Sequence, residues 1–403
     1  MAVRARVLYI ANSCRPKDAA WISTFYVLKA LKLTGMVESA IVITNDPEAV
    51  RVKDLADLKG WVKIRYVPIA RFLRSILAYV FIFLVALKVV KENRITHIFT
   101  QHHNFHMASF TGALIARLLG RACIIKIQDG IPYIKHSPIG TFLNRSIMLA
   151  INKLAFKWAD LILNLSPERA SLISKIFNVH ETKMLLLPNL IDLGAFSEPD
   201  DAFGRAFKER YGLDGHKILL FVGSTVERGL EKLIRALPTI ISKMKVKLII
   251  LSRAPDRKLM ELAKFLGVKD HVVFAESIEH RLVPSVISLA DLCVGPLLVT
   301  WFTFAGAQRK VIEYMACGKP FVAAKWAVSR SLLVNGITGI AINNPDDARE
   351  LAEKITGILA DEARREELGR NAKEIVRNLY DCNSFKVISQ LRNVLLSSLK
   401  PKS

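Results

Sequence analysis

Acidic residues are in short supply in this 403-residue chain: 36 Asp and Glu stand against 58 Lys and Arg, for a formal charge of +22. Such a balance suits nucleic acid, anionic lipid or phosphorylated small molecules. The basic residues are spread through both halves, however, and zinc-finger, RNA-recognition and aromatic-basic signatures are lacking, so no nucleic-acid partner is expected. Cysteine is sparse too. The five (Cys14, Cys123, Cys293, Cys317, Cys382) are far apart and in no metal-binding spacing, which reads as buried thiols in a reducing compartment. There is no repeat array and no low-complexity tract. No secretory signal is expected at the start, because Val3 to Asn12 reads as a strand without a cleavage site after it. A cytoplasmic location is expected, with peripheral attachment to the cytoplasmic membrane face admitted.

A long apolar span is also missing. The run Ile76 to Leu87 lies between Arg74 and Lys88 and is shorter than the roughly 20 residues a crossing helix needs. Two readings of it stay open: an interfacial or acceptor-groove helix with basic ends, or an ordinary core helix of an α/β crossover. What the chain does have is apolar content, 51% hydrophobic residues with a mean hydropathy of +0.28, beside 23% charged residues. Its length exceeds one usual core, so two domains are expected.

Short apolar runs alternate with helix-length amphipathic segments throughout. Strands are expected at 6–11, 40–44, 97–100, 122–127, 161–165 and 184–188, then, after the turn-rich stretch "PNLIDLGAFSEPDD", at 218–223, 245–251, 271–275, 292–296 and 320–324. That alternation predicts parallel sheets with helical crossovers in two domains, 1–190 and 191–380. In such sheets ligands sit outside the carboxyl ends of the strands.

Two of those strand exits carry chemistry. At "FVGSTVERGL" a strand ends at Gly223 and a helix opens after Gly229, so backbone amides with Arg228 beside them could hold a phosphate or diphosphate; two plain turn glycines are the alternative. At "FAGAQRKVIEYMACGKP" small residues precede a helix beginning near Gln308 that bears Glu313. That carboxylate can accept two hydrogen bonds from a vicinal diol such as a ribose, or pair with Arg309 or Lys310 on the helix surface. A third exit, "HIFTQHHNFHM", holds His102, His103 and His106 without a Cys or carboxylate ligand nearby, so no metal site is expected.

The order "PNLID", "LLFVGS…ERGLEKLIRA", "VVFAESI", "KVIEYMACGKPFVA", "LLVNGITGIAIN" resembles the carboxyl-terminal half of the retaining family-4 glycosyltransferases of GT-B fold, the group 1 glycosyltransferase type. The resemblance implies two Rossmann-like doubly wound domains facing a cleft, an amino-terminal acceptor domain, a carboxyl-terminal nucleotide-sugar domain, and a last helix, 383–400, packing back on the first. It implies transfer of a sugar from a nucleotide diphosphate sugar to an acceptor hydroxyl, without metal or other cofactor. Carried over residue by residue, Glu313 takes the ribose as the second Glu of E-x7-E, and Arg228 the diphosphate. Gly223, Ser224, Gly306, Ala307, Gln308 and Lys310 line the donor, and Ile278 lies where the base is read. Gln128 and Asp129 fall where the family has a sugar-contacting His-Asp pair. His102, His103 and Asp18 are acceptor-side candidates.

Three positions depart from the family pattern. Ala305 replaces the first Glu of E-x7-E, Ser224 replaces an Arg that usually follows the strand-ending Gly, and Gln128 replaces His. These departures motivate an alternative, a non-catalytic nucleotide-sugar-binding or scaffold member of the same fold. The apolar run and the charge of +22 point to a lipid-linked or membrane-surface acceptor on an anionic membrane.

Overall fold

The computed structural model describes residues 4–11, 19–46, 56–68, 76–102, 107–128, 139–300 and 303–398. The chain forms two compact units, residues 1–190 with 382–403, and residues 191–381.

Unit 1 is built on strands β1 (Ala5–Ile10), β2 (Val37–Thr44), β3 (Val62–Tyr66), β4 (His97–His102), β5 (Ala122–Ile127), β6 (Leu161–Asn164) and β7 (Met184–Leu186). They make one parallel sheet in the order β3-β2-β1-β4-β5-β6-β7. Its helices in this stretch are α1 (Ala19–Leu33), α2 (Ile76–Glu92), α3 (Ala108–Leu119), α4 (Ile139–Trp158) and α5 (Pro167–Phe177). Both faces of the sheet are covered, which is why its strands read as continuous apolar runs. Along β1, Val7 and Tyr9 join one core while Leu8 and Ile10 join the other. The period of two along a strand sends neighbours to opposite faces.

Unit 2 repeats the plan. It comprises α6 (Leu193–Ser197), α7 (Asp201–Arg210), β8 (Lys217–Val222), α8 (Leu230–Ile241), β9 (Val246–Ser252), α9 (Arg257–Phe265), β10 (Val272–Glu276), α10 (Val283–Ile287), β11 (Leu292–Val294), α11 (Arg309–Ala316), β12 (Phe321–Ala324), β13 (Ile340–Ile342), α12 (Ala348–Ala360) and α13 (Glu362–Leu379). The parallel order is β10-β9-β8-β11-β12-β13. Each sheet therefore reverses its winding once, at β1/β4 and at β8/β11, and a crevice opens at such a switch point.

The chain leaves unit 1 after Leu190 and returns after Asp381. The Ile191 N–H donates to the Tyr380 carbonyl at 2.9 Å, so the outgoing and returning strands are tied together. The last helix, α14 (Phe385–Ser397), then belongs to unit 1. Val387, Leu391, Val394 and Leu395 of α14 bury into the α1 side of the first core, and His97 Nε2 lies 3.1 Å from the Leu395 carbonyl.

Helix α2 sends one face into the core, as a crossover helix would, and leaves part of the other uncovered. Ile82, Ala86, Val89 and Val90 are buried in the core under the sheet, whereas Val80, Phe81 and Leu84 are 47%, 52% and 54% exposed. Among the described residues no helix is long and apolar enough to cross a membrane.

Candidate functional site

The site in unit 2 begins where β8 stops. Gly223 carries φ +100, a left-handed conformation that frees the chain from the strand, and its N–H stays bonded to the Leu251 carbonyl at 2.8 Å. The turn ends at Gly229, φ +74, where a Cβ would lie 2.9 Å from backbone atoms of Leu297 and Leu298. Only glycine allows that approach, and the approach lets the Leu297 N–H donate to the Arg228 carbonyl at 2.7 Å. Arg228 is thereby pinned by its backbone, and its side chain is 8% exposed.

Helix α11 faces this turn. Its Tyr314 hydroxyl accepts the Val222 N–H at 2.9 Å and donates to the Val294 carbonyl at 3.3 Å. It thus wedges between the ends of β8 and β11 just past their last paired residues, Leu220 and Cys293. One turn earlier, Lys310 lies against Gly223, with Cε and Nζ each 3.6 Å from where a Cβ on that glycine would stand. Its Nζ sits 3.6 Å from the centre of the Phe221 ring. The ammonium is shut off from solvent and has no hydrogen-bond partner among the described residues. Burial, and then the neighbouring Arg228 cation, push its pKa well below the ordinary lysine value, with Glu313 pulling the other way.

Glu313 is buried, not on the helix surface, and its Oε1 is 2.8 Å from His280 Nε2. Burial alone would raise its pKa. The His280 hydrogen bond, then the charges of His280, Arg309 and Lys310, outweigh burial and hold the carboxyl below its ordinary value. His280 opens the short turn at His280–Leu282 beyond β10, and its ring packs on Phe196 at 5.4 Å. Neither His280 nor Tyr314 carries a signal in the linear sequence, since what places each beside its partner is strand order.

The structure brings Gly223, Arg228, Lys310 and Glu313 together at the carboxyl ends of β8 and β11. Other residues of the expected donor lining differ in what they offer. The Gly306 N–H is spent on the Thr303 carbonyl at 3.0 Å, so the amide expected to face a diphosphate is already closed into a turn. Ala307 is buried, and Gln308 caps α11 with its amide nitrogen 3.4 Å from the Ala327 carbonyl. Ser224 is exposed and turns its hydroxyl back to accept the Val226 N–H at 3.3 Å. Ile278 is half-buried in the segment leaving β10. Ala305, at φ +45 and 2% exposed, has its N–H bonded to the Trp326 carbonyl at 2.8 Å.

In unit 1, Gln128 follows β5 and His102 ends β4, both buried at adjacent strand exits. The Gln128 N–H donates to the His102 carbonyl at 3.1 Å, and its side-chain oxygen accepts from Gln101 Nε2 at 3.1 Å. His102 Nδ1 is 3.3 Å from the Ser109 hydroxyl and its ring lies 5.0 Å from Phe156, so it faces α3 and α4 within its own unit. Asp18, His103 and Asp129 lie outside the described residues.

Residues 216–361, which hold every member of the unit 2 cluster, match the model of the family described as glycosyl transferases group 1. That segment of unit 2 is a group 1 glycosyltransferase domain, in a chain whose fold is GT-B. The chain is 26% identical over 283 residues to an alpha-D-kanosaminyltransferase of Streptomyces kanamyceticus, covering 69% of this chain and 71% of that one. It is 30% identical over 189 residues to a GDP-mannose-dependent alpha-(1-6)-phosphatidylinositol monomannoside mannosyltransferase of Mycolicibacterium smegmatis, covering 45% of this chain and 49% of that one. The match therefore spans about half the length of that relative. Among solved structures, Anabaena HepE in complex with UDP has a TM-score of 0.75 at 18% identity, covering 97% of this chain and 100% of that one, a likeness of fold.

Proposed function

We propose that this glycosyltransferase moves a sugar, with retention of anomeric configuration, from a nucleotide diphosphate sugar to a hydroxyl of a lipid-linked or membrane-surface acceptor. One observation carries the donor half: the Lys310 ammonium is buried next to the Arg228 cation without a hydrogen-bond acceptor among the described residues. A buried ammonium beside a second cation and without a hydrogen-bond acceptor among the described residues is unfavourable even with Glu313 nearby, and a diphosphate supplies both acceptor and charge. HepE was solved with UDP, and the mycobacterial relative is named for GDP-mannose, which supports a nucleotide donor. In this reading Glu313 accepts the ribose hydroxyls and the segment 276–278 reads the base.

Arg228 and Lys310 would act as the leaving-group clamp, stabilising the negative charge that grows on the diphosphate as the glycosidic bond breaks. Both are fixed before the reaction, Arg228 by its backbone bond to Leu297 and Lys310 by the Phe221 ring, so little reorganisation is required. A phosphate oxygen of the leaving group would take the acceptor's proton on the same face of the sugar, which is compatible with Gln128, a side chain unable to carry a proton. With cations in the clamp, the proposal assigns no resident metal.

The acceptor half rests on the outer face of α2. Val80, Phe81 and Leu84 project away from the core, and Leu118 on α3 with Ile147 and Leu154 on α4 are exposed as well. Lys88 and Lys91 of α2 and Lys153 and Lys157 of α4 are exposed too. Apolar side chains with a basic surround suit peripheral attachment to an anionic membrane.

The test is a transfer assay with UDP- and GDP-sugars and a total lipid extract in the presence of EDTA. The expected result is a glycolipid whose new linkage keeps the donor's anomeric configuration. An inverted linkage would overturn the retaining assignment, and product formed only with soluble acceptors would overturn the lipid assignment. Ala305 favours a second reading, a scaffold that binds the donor without turnover, because a buried alanine stands where the family has a carboxylate near the sugar. Donor binding with neither transfer nor hydrolysis would select it.

A further inference from the structure

We infer that His280 is a positioning residue that orients the Glu313 carboxylate for a ribose diol and ties that carboxylate to the base-reading segment. The inference rests on the donor reading above. An ionised carboxylate has about four lone-pair sites, and a vicinal diol needs two of them in a fixed plane. Carboxylates rotate freely about their last bond, so a bare Glu313 would present those sites in many orientations. His280 Nε2 at 2.8 Å from Oε1 occupies one site and sets the plane.

The histidine is itself constrained. Its ring packs on Phe196 at 5.4 Å, and the Phe196 carbonyl lies 3.7 Å from the Cys317 thiol. Cys317 caps the C-terminus of α11, the helix that bears Glu313, so the support closes on the same helix. Since Nε2 faces a carboxylate, it carries the proton, and the donor direction runs from His280 to Glu313.

The histidine's place in the chain adds the second element. Residues 276–278, where the base would lie, run directly into the His280–Leu282 turn. A base that shifts this segment moves His280, and with it the diol acceptor. Recognition of the base and of the ribose would therefore be coupled through one side chain.

Two substitutions separate a positioning role from a packing role. A glutamine amide nitrogen reaches the place of Nε2, whereas the shorter asparagine reaches only that of Nδ1. The probes are UDP, GDP and ADP with their 2′,3′-dideoxy counterparts, measured by calorimetry on the full chain, with the ligand-free melting temperature as a check on folding. The wild type is expected to prefer the ribonucleotide about tenfold or more, as loss of hydrogen bonds to a charged group implies. His280→Gln should keep most of that ratio and His280→Asn should bring it close to one, with KM for the donor rising more than kcat falls. An undiminished ratio in His280→Asn would overturn the inference and leave the donor reading intact. Failure of every nucleotide to bind the wild type would overturn both. Should His280→Asn not fold, the ring N–H resonance of His280 in the wild type serves instead: the inference expects it to shift with the ribonucleotide and not with the dideoxy form, and equal shifts would contradict it.

Discussion

The two units share one strand plan and differ in what they turn outward. Helices of unit 2 are laced with charge pairs: Lys354 with Glu350, Arg364 with Glu367, Arg370 with Glu366 and Arg377 with Glu374. On α2 of unit 1 the described ion pair is Lys88 with Glu92, beside the exposed Val80, Phe81 and Leu84. The strand exits differ in the opposite sense. Unit 2 gathers buried Arg228, Lys310 and Glu313, with no hydrogen-bond acceptor for the Lys310 ammonium among the described residues, whereas unit 1 lines up Gln101, Gln128 and His102 beside a buried Lys126 that donates to Ser23 and Asn189. A surface of exposed ion pairs contributes little stability but keeps a face wet, and an apolar-basic face does not. The difference teaches where to look for each half of the proposed reaction: the buried lysine of unit 2 has no acceptor among the described residues, that of unit 1 has two, and the exposed apolar side chains of α2 lie on unit 1.

Discharging the unit 2 cluster should have the largest effect. Arg228→Ala should lower turnover about 100- to 1,000-fold, the usual cost of losing one preorganised group at a developing negative charge. Steady-state kinetics with the preferred donor reads it, and an effect under fivefold would remove Arg228 from the clamp. Wetting the unit 1 face comes next. Phe81→Ser with Leu84→Ser should reduce partitioning onto anionic vesicles about tenfold or more, while the melting temperature holds because both side chains already face solvent. Sedimentation with vesicles decides it, and unchanged partitioning would remove α2 from the membrane.

A smaller effect is expected from Gly229→Ala, which forces a Cβ into the Leu297–Leu298 backbone at a left-handed residue. It should cost about 1–3 kcal/mol, read as a lower urea midpoint, together with weaker donor binding because Arg228 loses its anchor. Smaller still is the pH dependence of donor binding. A diphosphate would raise the depressed Lys310 pKa, so binding takes up a fraction of a proton. Affinity should then fall as pH rises through the interval between the free and bound values, with a slope no steeper than one. Lys310→Met should flatten that slope. The smallest effect concerns acid stability. Because the folded pKa of Glu313 is lowered, its contribution is present above the unfolded value and is lost as pH falls through the folded one. Glu313→Gln should narrow the difference in melting temperature between pH 7 and mildly acid buffer.

Much of unit 2 was legible because its signals are local. Gly223, Gly229 and the Glu313 helix announce themselves by turn chemistry and spacing, and the expected strands fall within a few residues of the observed ones. What escaped was what depends on neighbours. β3 was missed because Lys63 and Arg65 alternate with Val62 and Ile64, the charged pattern of an edge strand that discourages further pairing. β13 spans three residues, too short for any periodicity. The Gly306 amide looked available for phosphate because a linear sequence does not show the Thr303 carbonyl that consumes it. Phe81 and Phe83 look alike in the run, yet Phe83 packs against the core and Phe81 faces outward, since residues two apart on a helix do not share a face. His280 needed the order of β10, β9, β8 and β11 to be found at all.

Unit 2 is proposed to bind a nucleoside diphosphate through Arg228 and Lys310 without a metal. A thermal-shift screen against UDP, GDP and ADP with and without EDTA tests it, because a ligand at about 100 times its dissociation constant adds roughly 2.7 kcal/mol. The expected result is an upward shift with one nucleotide that EDTA leaves unchanged and that Lys310→Met and Arg228→Ala each diminish. A shift that appears only with a divalent cation, or no shift with any of the three, would contradict it.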